Sequence, residues 1–318
     1  MQMAKLFQGR DIPFEVIVSD ASAYVSPLRI RSPNVTRIRS PLNRSLDWKG
    51  FYPLHVVYNF LNNLEKTFPS TCTVSVIGRS VEGRDIKMLK ISNSDANNTG
   101  VWLDGATHAR EWISTSVVTY IADYLAKNFD SLSVNYTSKD WYYWGRGGTD
   151  HSSGDPNHLN YRGPEPFSEP ETTAIKDMIL YSGTPFKIFL SFHACSEAIS
   201  FPWCHTADPC PDYVNLLEGG TAMAKAIFET AGRMYKVGNF KDIMYYASGT
   251  SIDWSYGTAR IPFSYLVELR SKQDRFTLRR EEIIVCCKEI LNGVKALVEF
   301  ADKKKCLNCS VIPKKLRN

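Results

Sequence analysis

Leu103-Asp104-Gly105-Ala106-Thr107-His108-Ala109-Arg110-Glu111-Trp112 joins two kinds of periodicity. Upstream, Val101 to Asp104 reads as a short apolar strand that closes at Gly105. Downstream, Trp112, Val117, Ile121 and Leu125 recur at the spacing of an amphipathic helix. A strand feeding a helix is the unit of a layered α/β fold. His108 and Glu111 stand three residues apart at the mouth of that helix. An imidazole nitrogen and a carboxylate so spaced can reach one cation. The same pair also suits a surface histidine beside a glutamate favoured by the helix dipole.

Two further segments carry the same kind of signal. In Leu190-Ser191-Phe192-His193-Ala194, His193 ends a run, Phe186 to Phe192, that reads as an apolar, buried strand. A lone histidine there suits either a hydrogen-bonded core side chain or a metal ligand. Parallel strands would bring His108 and His193 to the same sheet edge, where open α/β sheets bind ligands. In Tyr265-Leu266-Val267-Glu268-Leu269-Arg270, Glu268 lies near the end of a buried strand, Ile261 to Leu269. A carboxylate in that setting costs free energy unless it has a partner. A neighbouring arginine would make it half of an ion pair. A metal-bound water would make it a general base.

The remaining pattern fills in the layers. Val56, Val57, Phe60, Leu61 and Leu64 have helical spacing. Thr73 to Ile77 and Ile86 to Ile91 alternate like paired strands, with Glu82-Gly83 as the turn. Ser168-Glu169-Pro170-Glu171 has the form of a capping box with proline in the first turn, opening a helix to about Tyr181. Residues 213–231 and 281–301 read as helices. Residues 11–18 read as a short strand and 26–50, rich in Ser, Pro, Asn and Arg, as a linker.

Composition narrows the class. The chain has 318 residues, 43% of them hydrophobic and 22% charged, enough for a sizeable core. The net charge of +5 gathers in the stretch 29–44 and the Lys-rich tail 303–317, which read as solvated ends and exclude a nucleic-acid footprint. No apolar run approaches the roughly 20 residues of a bilayer span. Five Asn-x-Ser/Thr sequons, at Asn34, Asn43, Asn97, Asn135 and Asn308, and eight cysteines lean towards an oxidising, extracellular setting, although no secretory signal is visible. Cys204 and Cys210 bracket a loop short enough for a disulfide. Cys306 and Cys309 form a Cys-x-x-Cys without the second half that a zinc site needs.

Taken in order, these segments resemble the carboxypeptidase A/B family of zinc exopeptidases over most of residues 48–300. Gly78 to Asp85 is similar to an early hairpin, and His108-Ala-Arg-Glu111-Trp to the His-x-x-Glu zinc motif. Asn160 to Glu171 is similar to the stretch leading into the next helix, and Ser191-Phe-His193 to the third-ligand segment. Tyr245 to Trp254 resembles the tyrosine loop that caps the substrate, and Val267-Glu268-Leu-Arg270 the base. The resemblance implies a mixed twisted sheet flanked by helices on both faces and one zinc ion on His108, Glu111 and His193. It implies Glu268 as general base and Arg110, Tyr245 and Ile252 as substrate contacts. Carboxypeptidase A is itself a standard example of a His₂Glu catalytic zinc site. Apolar Ile252 at the pocket base implies terminal aliphatic or aromatic residues, and Leu266 narrows that pocket. The implied partners are peptide or protein C-termini, met by a secreted monomer.

Residues 8–18 are similar to the last strand of an activation prodomain, with Arg39 and Arg44 in a linker suited to activating proteolysis. The implied organisation is therefore a prodomain remnant and linker over 1–46, a zinc carboxypeptidase domain over 47–301 and a basic tail over 302–318. One departure stands out. Glu111 and His193 are 82 positions apart, about 40 fewer than in the family. The missing stretch begins inside a strand near Tyr142, so one internal strand is expected to be truncated, with backbone groups unpaired. In the family that stretch holds an arginine for the oxyanion and an Asn-Arg pair for the substrate carboxylate, and only Arg146 lies near the join.

Overall fold

The computed structural model describes residues 46–132, 139–145, 163–270 and 276–304. The strand at 11–18, Arg39 and Arg44, Arg146, Cys306 and Cys309 and most of the basic tail lie outside them. The chain divides into two units, residues 1–42 and 43–318, and the described residues all belong to the second.

The predicted periodicities become α1 (Leu54–Thr67), β1 (Cys72–Arg79), β2 (Asp85–Ile91), β3 (Thr99–Gly105) and α2 (Trp112–Asn128). β4 (Lys139–Gly145), α3 (Pro170–Tyr181), β5 (Phe186–Ala194), β6 (Ala198–Phe201) and α4 (Tyr213–Ala231) follow. The last elements are β7 (Lys236–Asn239), α5 (Phe240–Ile243), α6 (Ser251–Gly257), β8 (Phe263–Leu269) and α7 (Arg280–Lys303). Eight strands form one sheet in the order β1-β2-β4-β3-β5-β8-β6-β7. β4, β3, β5 and β8 run parallel to one another, while β1, β2 and the β8–β6 pair supply antiparallel joins. The sheet is therefore mixed. Among the described residues no helix is long and apolar enough to cross a membrane.

Strand alternation sorts the core into two layers, one on each face. Val101 and Leu103, Ile188, Leu190 and Phe192, and Tyr265, Val267 and Leu269 face the layer that contains α1, α2, α4 and α7. Trp102, Phe189 and Leu266 face the other layer, with Ala174 and Ile179 of α3, Phe240 of α5 and Ile252 of α6. By the same period of two, Asp104, Ser191, His193 and Glu268 belong to this second face. The second layer is the thinner one, and it is where polar side chains interrupt the strands.

Four expectations change. β4 is not a truncated strand with unpaired backbone. All seven of its residues pair with β3, and Trp141 to Trp144 pair with β2, so the join near Tyr142 falls inside a continuous ladder. The capping box does not close. Glu169, not Ser168, is the N-cap of α3, and no side chain caps it, while Pro170 holds the first turn as expected. Glu171 instead accepts a hydrogen bond from the Val81 backbone N–H at 3.0 Å, tying α3 to the β1–β2 turn. No disulfide joins Cys204 to Cys210. Lys187 is buried within β5, so that strand is not wholly apolar.

Candidate metal centre and general base

β3, β5 and β8 are parallel neighbours, so their C-terminal ends share one edge. The β3–α2 connection presents His108 and Glu111 there. Its path is set by local contacts. The Ser114 hydroxyl donates to the Glu111 carbonyl at 2.6 Å and accepts from the Ala106 N–H at 2.7 Å. Gly105 is required by this close turn, because a Cβ there would lie 2.8 Å from the Ser114 carbonyl oxygen. Ser114→Ala removes both bonds and is expected to cost about 1–3 kcal/mol, read as a lower midpoint in urea unfolding.

His108, Glu111 and His193 converge. His108 Nδ1 is 2.8 Å from Glu111 Oε1, His193 Nδ1 is 3.1 Å from Glu111 Oε2, and the two Nδ1 atoms are 3.2 Å apart. Ligands about 2.0–2.2 Å from a tetrahedral zinc lie roughly 3.3–3.6 Å from one another, so this donor set, slightly tighter, is close to the size a zinc ion needs. Its chemistry also fits, being two imidazoles and a carboxylate, with Glu111 and His193 only 4% and 1% exposed. Burial would push the Glu111 carboxyl up, but hydrogen bonds and charge from His108 and His193 outweigh it and hold the group at about 2. Glu111 is thus an anion across the useful pH range.

Glu268 sits beside this group. It is the register partner of His193 on the adjacent parallel strand. Burial raises its carboxyl to about 6, with the Glu111 charge adding to the rise and His193 and the Ser196 backbone N–H opposing it. Among the described residues, its buried Oε2 has no hydrogen-bond partner. The ion-pair alternative is settled by Arg270, which turns away. Its Nε donates to Glu289 Oε1 at 2.8 Å, its Nη2 donates to Glu289 Oε2 and its Nη1 to Glu282 Oε2. Both acceptors lie on α7.

The other predicted residues are more scattered. Ile252 is fully buried on α6, in one cluster with Leu266, Ala247 and Cys204. Asp253 beside it is engaged, accepting from the Cys204 N–H at 2.9 Å and lying 2.6 Å from His205 Nδ1. Tyr245 lies on the connection between α5 and α6, 41% exposed, with its ring edge-on to Phe240. Arg110 is held over the Phe276 ring at 4.2 Å. Sequence reading missed Asp104 and Ser191. Ser191 Oγ is 2.9 Å from His193 Nε2 and donates to Asp104 Oδ1 at 2.6 Å. A carboxylate and a hydroxyl inside two fully buried strands were the available signal.

Comparison with known families matches residues 57–142 and 132–293 to the family described as zinc carboxypeptidase. The two matched segments meet at β4. The chain is 30% identical over 297 residues to carboxypeptidase B of Astacus astacus, covering 80% of this chain and 98% of that protein. It is 26% identical over 349 residues to carboxypeptidase A1 of Mus musculus, covering 95% and 82%. The crystal structure of carboxypeptidase A from Helicoverpa armigera superimposes with a TM-score of 0.75 at 22% identity, over 95% of this chain and 86% of that one. With its mixed sheet, its convergent His–Glu–His group and a match extending over most of its length, this chain belongs to the zinc carboxypeptidase family.

Proposed function

We propose that this chain releases aliphatic or aromatic residues from the C-termini of peptides and proteins, with one zinc ion held by His108, Glu111 and His193 and with Glu268 as general base. The observation that carries this reading is the buried Glu268 oxygen without a described partner, on the strand next to His193. When bound, zinc lowers the pKa of water towards neutrality and polarises the scissile carbonyl. Glu268 takes the proton of the attacking water and hands it to the leaving amine. Burial suits it to both tasks, since a carboxyl raised towards neutrality accepts and returns a proton at small cost. Tyr245, exposed on its loop, closes over the terminal residue, and Arg110 contacts the peptide chain.

The preference for apolar termini rests on Ile252 and Leu266 sharing one apolar cluster. The nearby Asp253 charge is already engaged by a backbone N–H and His205, so it does not neutralise an incoming lysine or arginine. N-blocked dipeptides ending in Phe or Leu are expected to be cleaved at least about tenfold faster than one ending in Arg, since an unpaired buried charge costs more than 1.4 kcal/mol. Equal rates would remove Ile252 from the specificity role.

A second reading has its own support. Arg110 is engaged on Phe276, and the stretch that in the family carries the oxyanion arginine and the carboxylate clamp is missing from the sequence. Losing one oxyanion donor costs about 10²–10³ in turnover. One zinc per chain without release of any terminal residue would favour a peptide-binding protein over an enzyme. An extracellular setting is supported by the Asn97 sequon, which lies exposed between β2 and β3.

A further inference from the structure

We propose that Asp104 and Ser191 are positioning residues for the metal ligand His193, acting through a buried hydrogen-bond chain that dictates which imidazole nitrogen faces the cation. The inference rests on the zinc-site reading above and adds to it residues that the His–Glu–His geometry alone does not name.

Proton bookkeeping along the chain carries the argument. Trp102 Nε1–H donates to Asp104 Oδ2 at 3.0 Å, and the Ser191 hydroxyl donates to Asp104 Oδ1 at 2.6 Å. A serine hydroxyl has one proton, and the carboxylate has taken it. Towards His193 Nε2, 2.9 Å away, Ser191 Oγ therefore acts as acceptor. Nε2 must then carry the hydrogen. In the neutral ring that leaves the lone pair on Nδ1, the nitrogen that faces His108 and Glu111. The tautomer that can bind a cation at the edge of β5 is thus specified by a residue on β3.

The fold builds this chain from strand geometry. Ser191 and His193 are two apart on β5 and share its inner face. Asp104 and Ser191 are direct register partners on β3 and β5. All four side chains are buried, with Trp102 at 0%, Asp104 at 2%, and Ser191 and His193 at 1% exposed. A buried carboxylate relayed to a ligating imidazole orients the ring, raises its basicity and adds a negative charge near a dication. Asp104 does this through one hydroxyl instead of by direct contact. A structural role alone would ask only that the polar groups be satisfied. It would not ask that the chain end on the ligand's second nitrogen with its direction fixed.

The test uses the full chain and zinc alone, buffered by a competing chelator. Ser191→Ala and Asp104→Asn are each expected to weaken zinc binding about 10–100-fold and to shift the visible d–d bands of the cobalt-substituted protein. Ser191→Thr keeps the hydroxyl and is expected to recover most of the affinity. Long-range ¹H–¹⁵N correlation of histidine-labelled, zinc-loaded wild type is expected to show His193 protonated on Nε2, and this readout needs no variant to fold. Wild-type zinc affinity and cobalt bands in both Ser191→Ala and Asp104→Asn would overturn the proposal, as would a proton on Nδ1 with zinc on Nε2. Failure of the zinc site itself looks different, with His193→Ala binding zinc as well as wild type.

Discussion

Glu268→Gln is expected to lower the turnover of an N-blocked C-terminal dipeptide by about 10²–10⁴-fold, equivalent to roughly 3–5 kcal/mol of transition-state stabilisation. Glutamine keeps the shape and burial of the side chain but cannot accept the proton of the attacking water. Zinc content should stay at one per chain, because Glu268 lies next to the ligand group and is not part of it. Turnover and bound zinc measured on the same preparation separate the two roles. Lost zinc would make Glu268 a ligand, and unchanged turnover would remove it from the chemistry. The motivating facts are a buried Oε2 without a partner among the described residues and a carboxyl raised to about 6 chiefly by burial.

Glu289→Ala is expected to destabilise the fold by about 3–5 kcal/mol, seen as a fall in the urea midpoint. Arg270 and Glu289 are 2% and 0% exposed, and they meet through two parallel N–H···O bonds, with Tyr235 OH donating to Glu289 Oε1 at 3.3 Å. Removing the carboxylate strands the guanidinium in the core with Glu282 as its remaining partner among the described residues. Replacing both partners together, as Arg270→Met with Glu289→Leu, should recover much of that loss, because the cost comes from the uncompensated charge and not from the absence of the pair. A double variant no more stable than Glu289→Ala would contradict this. Since Arg270 follows Glu268 by two residues, the pair also ties the chain just beyond β8 to α7.

Much of the fold was legible from local pattern. Alternation identified β1 and β2, unbroken apolar runs identified β3, β5 and β8, and the long helices α1, α2, α4 and α7 were read to within a few residues, because a strand buried on both faces is apolar throughout while a helix packed on one side keeps its 3.6-residue period. β6, β7, α5 and α6 went unread. The first three have four residues each and α6 seven, too few for periodicity to show. The capping-box pattern misled for a different reason. Glu171 had two uses available, and a backbone N–H ninety residues earlier in the chain competed successfully with the local one.

What the linear order of residues settled was the inventory: which strands are buried, and that His108, Glu111, His193 and Glu268 sit at their ends, where parallel strands would gather them. These are short-range facts, written in the alternation of apolar and polar side chains. Only the assembled sheet decided which of several chemically sensible partners each group took. Arg270 was two residues from Glu268, yet it turned to α7, which packs on the other face of the sheet, because Arg270 falls just past the end of β8, where the alternation of the strand no longer fixes its side. Ser191 found Asp104 eighty-seven residues away, because register between β3 and β5 is set by burying both faces of both strands at once. Such pairings depend on contacts between distant segments, and no local window contains them.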